Sequence, residues 1–171
     1  TNEGTSWELK SNGIDNDIIN VITAAKNGDI WAGSTNTSGG LYHSTNNGES
    51  WTKISGFELI YSIADNISGD IFVASGTNLM CSTDDGMNWQ QKHNEGYGRL
   101  FITDSDEIYF GHRFALELST DNGNNWATIL QTNFIEEIYI DKKNNIYVAS
   151  NAGLLRSSNS GISWDTVSNF F

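Results

Sequence analysis

The residues able to do chemistry here are few and scattered. Three histidines, His43, His93 and His112, have no motif around any serine and show no HExxH or CxxC spacing. Neither a nucleophilic triad nor a metal site is therefore expected, and no catalytic residue, metal ligand or cofactor is assigned. The single cysteine, Cys81, falls at an apolar position of an expected strand. One thiol excludes an internal disulfide and a thiolate cluster, and its setting reads as buried and inert. The glycines are spent on turns, which leaves no phosphate-cradling loop.

Binding chemistry is better represented. His112, Arg113 and Phe114 stand side by side, HNEGYG carries His93 and Tyr97, and Phe57 precedes Glu58. Rings beside amides and carboxylates suit sugars, whose CH faces stack on rings while their hydroxyls take hydrogen bonds. Tyr61, Arg99, Glu136 and Glu137 lie where inner strands begin, a position expected to line a central channel in which Arg99 and the glutamates neutralise one another. The two adjacent glutamates are expected to point to opposite strand faces and so not to act as a pair.

Charge narrows the partners. The 171 residues carry 21 acids against 9 bases, a net charge of -12, with neither sign in a long block. Such a surface repels phosphate backbones and anionic lipid, so nucleic acid is not an expected partner. No apolar run reaches membrane-spanning length, and no membrane insertion is expected. An apolar content of 37% supports a packed core.

What positions these residues is a repeat. Tryptophans recur at Trp7, Trp51, Trp89, Trp126 and Trp164, each with a glycine three residues earlier: Gly4, Gly48, Gly86, Gly123 and Gly161. Four residues before four of those glycines stand Ser44, Ser82, Ser119 and Ser157, and between lie Asn2, Asn46, Asp84, Asp121 and Asn159. Glycine supplies positive φ in a tight hairpin, the Asx side chain accepts amide hydrogen bonds, and tryptophan packs between neighbouring sheets. Because Asn replaces Asp at three of the five boxes, the acid is read as a structural staple and not as catalyst or calcium ligand.

Between boxes each period of about 40 residues holds four short apolar or alternating runs, the pattern of a propeller blade. The expected fold is all-β: blades over 11–54, 55–93, 94–131 and 132–168, preceded by an orphan outer strand at 1–10 containing TSWELKS. Asn169, Phe170 and Phe171 read as the entry to another blade, so the chain is expected to be part of a longer array. Its further blades would come from the same parent chain or from a second copy. The first repeat is longer, partly through STNTSGG at 34–40, expected to be a spacer or a binding loop.

STNNGESW, STDDGMNW, STDNGNNW and SSNSGISW closely resemble the Asp-box, or BNR repeat, S-x-D-x-G-x-T/S-W, of sialidase-like, sortilin-like and xyloglucanase-like propellers. That resemblance covers essentially the whole chain and implies a fold more than an activity. Sialidases use an arginine triad, a Tyr/Glu pair and an acid; this chain offers only Arg99, Arg113 and Arg156, the last beside a box and in mid-strand. Xyloglucan-degrading relatives use carboxylates from two facing propellers. The resemblance therefore implies a non-catalytic module at the cell surface or secreted, binding glycan or protein. The alternative is one part of a glycoside hydrolase whose catalytic residues lie elsewhere. The second strands also resemble the propeller sensors of bacterial two-component regulators. Asn36 and Asn66 open glycosylation sequons.

Overall fold

A computed structural model describes residues 4–14 and 18–168. Asn2 of the first box, and the expected blade entry at 169–171, lie outside the described residues. The first sheet contains β1 (Ile19–Ala24), β2 (Ile30–Ser34), β3 (Leu41–Ser44) and β4 (Thr52–Ile54). The second contains β5 (Ile60–Asp65), β6 (Ile71–Ser75), β7 (Asn78–Ser82) and β8 (Gln90–His93). The third contains β9 (Gly98–Ile102), β10 (Ile108–His112), β11 (Ala115–Ser119) and β12 (Ala127–Gln131). The fourth contains β13 (Ile135–Ile140), β14 (Ile146–Ser150), β15 (Gly153–Ser157) and β16 (Asp165–Ser168). In each sheet the four strands pair antiparallel in chain order, and the described residues contain no helix. These are four β-propeller blades.

The alternation of the second strands explains how blades stack. Along β6, Ile71 and Val73 join Trp31 and Leu41 of the preceding blade in one core. Phe72 and Ala74 of the same strand join Ile108 and Phe110 of the following blade in another. A strand with period 2 thus feeds two separate cores, which is why IFVAS is buried at every position. A third core unites Tyr109 and Leu116 with Ile135, Ile138, Ile146 and Val148. Outer strands face solvent on one side and are correspondingly polar, as in QQKH. Cys81 is buried in the second of these cores, and burial pushes its thiol up to about 11.

Close approach between blades requires glycine at two equivalent places. A Cβ on Gly33 would lie 2.5 Å from Ile60, and one on Gly111 would lie 2.5 Å from Ile135. Each isoleucine opens an inner strand at a β-bulge, between Ile60 and Ser62 and between Ile135 and Glu137. The extra residue breaks strict alternation. Ile135 and Ile138, three apart, are both buried, whereas Glu136 and Glu137 are both exposed. Strict alternation, expected to send the two glutamates to opposite faces, is therefore interrupted at this pair.

The box turns share one geometry. Ser119 Oγ donates to Asp121 Oδ1 at 2.9 Å and accepts the Gly123 amide at 2.9 Å; Ser44, Ser82 and Ser157 repeat this. The residue before each box glycine also adopts positive φ, at Asn47, Asp85, Asn122 and Ser160. The Asx residue matches the residue four positions on: Asp84 and Asp121 accept the side-chain amides of Asn88 and Asn125, while Asn46 and Asn159 donate to Ser50 and Ser163.

Three of the tryptophans then tie their box to an earlier part of the chain, whereas Trp89 Nε1 donates to Gly86 O of its own box. Trp126 Nε1 donates to Lys92 O at 3.0 Å, and Trp164 Nε1 donates to Ile129 O at 3.0 Å. Trp51 Nε1 donates to Lys10 O at 3.0 Å in the same way. Lys10 therefore occupies the station of Lys92 and Ile129, three residues after a tryptophan. The segment around it is not the strand expected at 1–10, however. None of the sheets includes it among the described residues, because a strand exists only through its ladder partner.

Candidate functional site

Of the candidate residues, four converge and the rest disperse. Arg113, on the β10–β11 loop, places its guanidinium carbon 5.8 Å from the Tyr97 ring, 5.9 Å from Phe114 and 5.8 Å from Phe134. Tyr97 packs edge-on against Tyr61 at 4.7 Å. The collar thus draws on blades two, three and four. Its backbone is locked by the Phe134 amide donating to Arg113 O at 2.9 Å. Phe134 holds φ of 51°, a conformation that is strained for a bulky side chain, and Phe114 is 51% exposed. Among the described residues no carboxylate lies within ion-pair distance of Arg113. An unpaired guanidinium among rings can hold an anionic or hydroxyl-rich ligand by charge, hydrogen bonds and stacking. Phe134 gave no signal in the sequence beyond an apolar position at a strand entry.

Arg99, expected to neutralise the glutamates, instead donates from Nη1 to Tyr61 O at 2.9 Å and so ties the third blade to the second. Burial raises the Tyr61 phenol above its usual value. Glu136 sits apart from the collar, on a cavity of about 340 Å³ with Ala149, Ser150 and Asn151. Phe57 is buried against Trp89 at 4.7 Å, and Glu58 uses its carbonyl to accept Ser75 Oγ. Arg156 lies over Tyr147 and donates to Asn145. His43 stacks on Trp31 at 3.9 Å, as packing requires. Asn66 is only 3% exposed, with its amide donated to Asp70 and Asn122, so its sequon is not accessible in the folded chain.

His112 turns away from Arg113 into the junction of the second and third blades. There its Nε2 lies 3.3 Å from Glu117 Oε2, while His93 Nε2 approaches the same oxygen at 2.8 Å. His93 closes β8. Burial, opposed by Glu117, holds His112 below its ordinary value. Glu117 was invisible as a candidate because it lies 24 positions from His93 with no spacing motif linking them.

The BNR/Asp-box repeat family matches residues 42–53. No curated protein matches the chain. Among solved structures, a GH74 enzyme of Niastella koreensis is 21% identical over 87% of this chain and 24% of its own, with TM-score 0.65. An ancestral GH74 enzyme gives 20%, 93%, 25% and 0.72. The extracellular domain of a putative one component system of B. thetaiotaomicron gives 18%, 90%, 23% and 0.70. The chain spans about a quarter of the length of each of these proteins. Four box turns of one geometry, a BNR/Asp-box repeat match at residues 42–53 and this shared architecture together show a β-propeller fold with Asp-box-like turns.

Proposed function

We propose that this chain is a non-catalytic, extracytoplasmic propeller module that binds glycan or protein through the Arg113 collar. The observation that carries this reading is an arginine held among three rings from three loops without an acidic partner among the described residues. Folding alone gives little reason to keep Phe114 and Phe134 exposed or Phe134 strained. The likeness to an extracellular sensor domain and to GH74 enzymes supports a place outside the cytoplasm and a glycan ligand. The test is glycan-array and peptide binding by the intact protein, compared with Phe114→Ala and Arg113→Ala. Loss of binding above tenfold in both supports the reading, and undiminished binding in both overturns it. The GH74 likeness also favours a second reading, one part of a carbohydrate-active enzyme; turnover abolished by mutating Glu136 or Glu137 would establish it.

A further inference from the structure

The repeats allow the chain to be compared with itself, and one inter-blade junction departs from the others at three places together. The residue closing the second strand is Ser34, Ser75 and Ser150 in three blades but His112 in the third. The position two before the box serine is Tyr42, Met80 and Leu155, but Glu117 in that same blade. In the outer strands, Leu130 and Ser168 pair with Leu116 and Leu154, whereas His93 pairs with Leu79. Folding brings these three exceptions together, with one ligand atom from each lying within 4.8 Å of the others.

These three atoms have only one another: both Nε2 atoms converge on the single oxygen Glu117 Oε2. His112 is 5% exposed, and neither its buried Nε2 nor the buried Glu117 Oε2 has a hydrogen-bond partner outside the cluster. Burying two imidazoles and a carboxylate that share one oxygen and nothing else is costly, and three separate departures from the repeat would be needed to create that cost. We propose that His93, His112 and Glu117 form a divalent transition-metal site, with Zn²⁺ the best-suited ion. Two imidazoles and one carboxylate are a borderline donor set suited to zinc, whose ligands at about 2.0–2.2 Å would stand about 3.3 Å apart in a tetrahedron. The two Nε2–Oε2 separations, 2.8 and 3.3 Å, are near that spacing. Thr128 Oγ1 donates to Glu117 Oε1 at 3.1 Å and orients the carboxylate. Phe110 and Trp126, each 5.6 Å from the His93 ring, form the apolar wall. The nearby cation, Lys92, is engaged with Asn124 at 2.8 Å. A fourth ligand, water, would enter from the cavity of about 500 Å³ that His93 and His112 line.

The metal-free histidines hold a second feature. The Glu95 amide donates to His93 Nδ1 at 3.1 Å and the Phe114 amide to His112 Nδ1 at 3.4 Å, which puts each ring's proton on Nε2. Metal takes the Nε2 lone pair, so solvent accepts that proton and returns one to Nδ1, with no net change. Both amides are then released, and they belong to the loops that carry Tyr97, Arg113 and Phe114. Loading the site therefore shifts the loops that carry these three collar residues.

The test is titration of the chelator-treated protein with ZnCl₂, followed by calorimetry, thermal unfolding and amide hydrogen exchange. One ion per chain is expected, with Tm rising by roughly 5–10 °C at a hundredfold excess over Kd and faster exchange at Glu95 and Phe114. His112→Ser and Glu117→Leu restore residues the other blades carry, so both fold, and both must lose the zinc-dependent rise. Absence of binding at millimolar zinc, or a rise retained in both variants, overturns the site. Unchanged exchange at the two amides with zinc bound overturns the tautomer shift.

Discussion

Replacing Ser119 by alanine isolates the energy of one box. Its hydroxyl is 1% exposed, accepts the Gly123 amide at 2.9 Å and donates to Asp121 Oδ1 at 2.9 Å. Alanine fits the space, so packing is unchanged. The Gly123 amide, however, is left buried with no acceptor, at a cost of about 1–3 kcal/mol. Asp121 retains the Asn125 amide and side chain, so its loss is small by comparison. A destabilisation of about 2 kcal/mol follows, which lowers Tm by roughly 4–8 °C in a chain of this size. Urea unfolding should show a lower midpoint at unchanged slope, since the surface exposed on unfolding stays the same. Thr120→Ala, one residue away and exposed, should stay within about 0.5 kcal/mol of the parent. A Ser119→Ala loss no larger than that control would refute the view that the serine hydroxyl is the staple of the turn.

Trp126→Phe keeps most of the ring but deletes the indole N–H shared between Lys92 O and Gly123 O, and should cost about 1 kcal/mol by chemical denaturation. Gly111→Ala drives a methyl to 2.5 Å from Ile135 and should cost about 1–3 kcal/mol, against almost nothing at the uncrowded surface residue Ser68→Ala. Hydrogen bonds from Asn88 and Asn125 hold Asp84 and Asp121 below the ordinary carboxylate value of 3.8. A depressed folded value means the stabilisation is complete above 3.8 and is lost as pH falls below it through the folded value. Urea midpoints measured from pH 5 to 2.5 should therefore fall less steeply in Asp84→Asn/Asp121→Asn than in the parent. Cys81, with its thiol raised to about 11, should resist a disulfide reagent at pH 8 until urea unfolds the chain.

The sequence by itself determined the blade. The serine, Asx and glycine bonds of its box are local, joining residues at most four positions apart, so serine, Asx and glycine in register with tryptophan were enough to predict the turn. The strands were legible for the same reason, since alternation and hairpin turns act between neighbours. Blade-to-blade contacts depend on how sheets stack, and those escaped. That Trp126 bonds across to Lys92, that Gly111 makes room for Ile135, and that a bulge leaves both Glu136 and Glu137 exposed are products of stacking. The candidate site followed the same division. HRF was visible as a cluster, yet packing sent Arg113 outward to meet Tyr97 and Phe134 and turned His112 inward to His93 and Glu117. Adjacent residues in a strand–loop corner face different neighbours, and only the tertiary structure decides which neighbours those are.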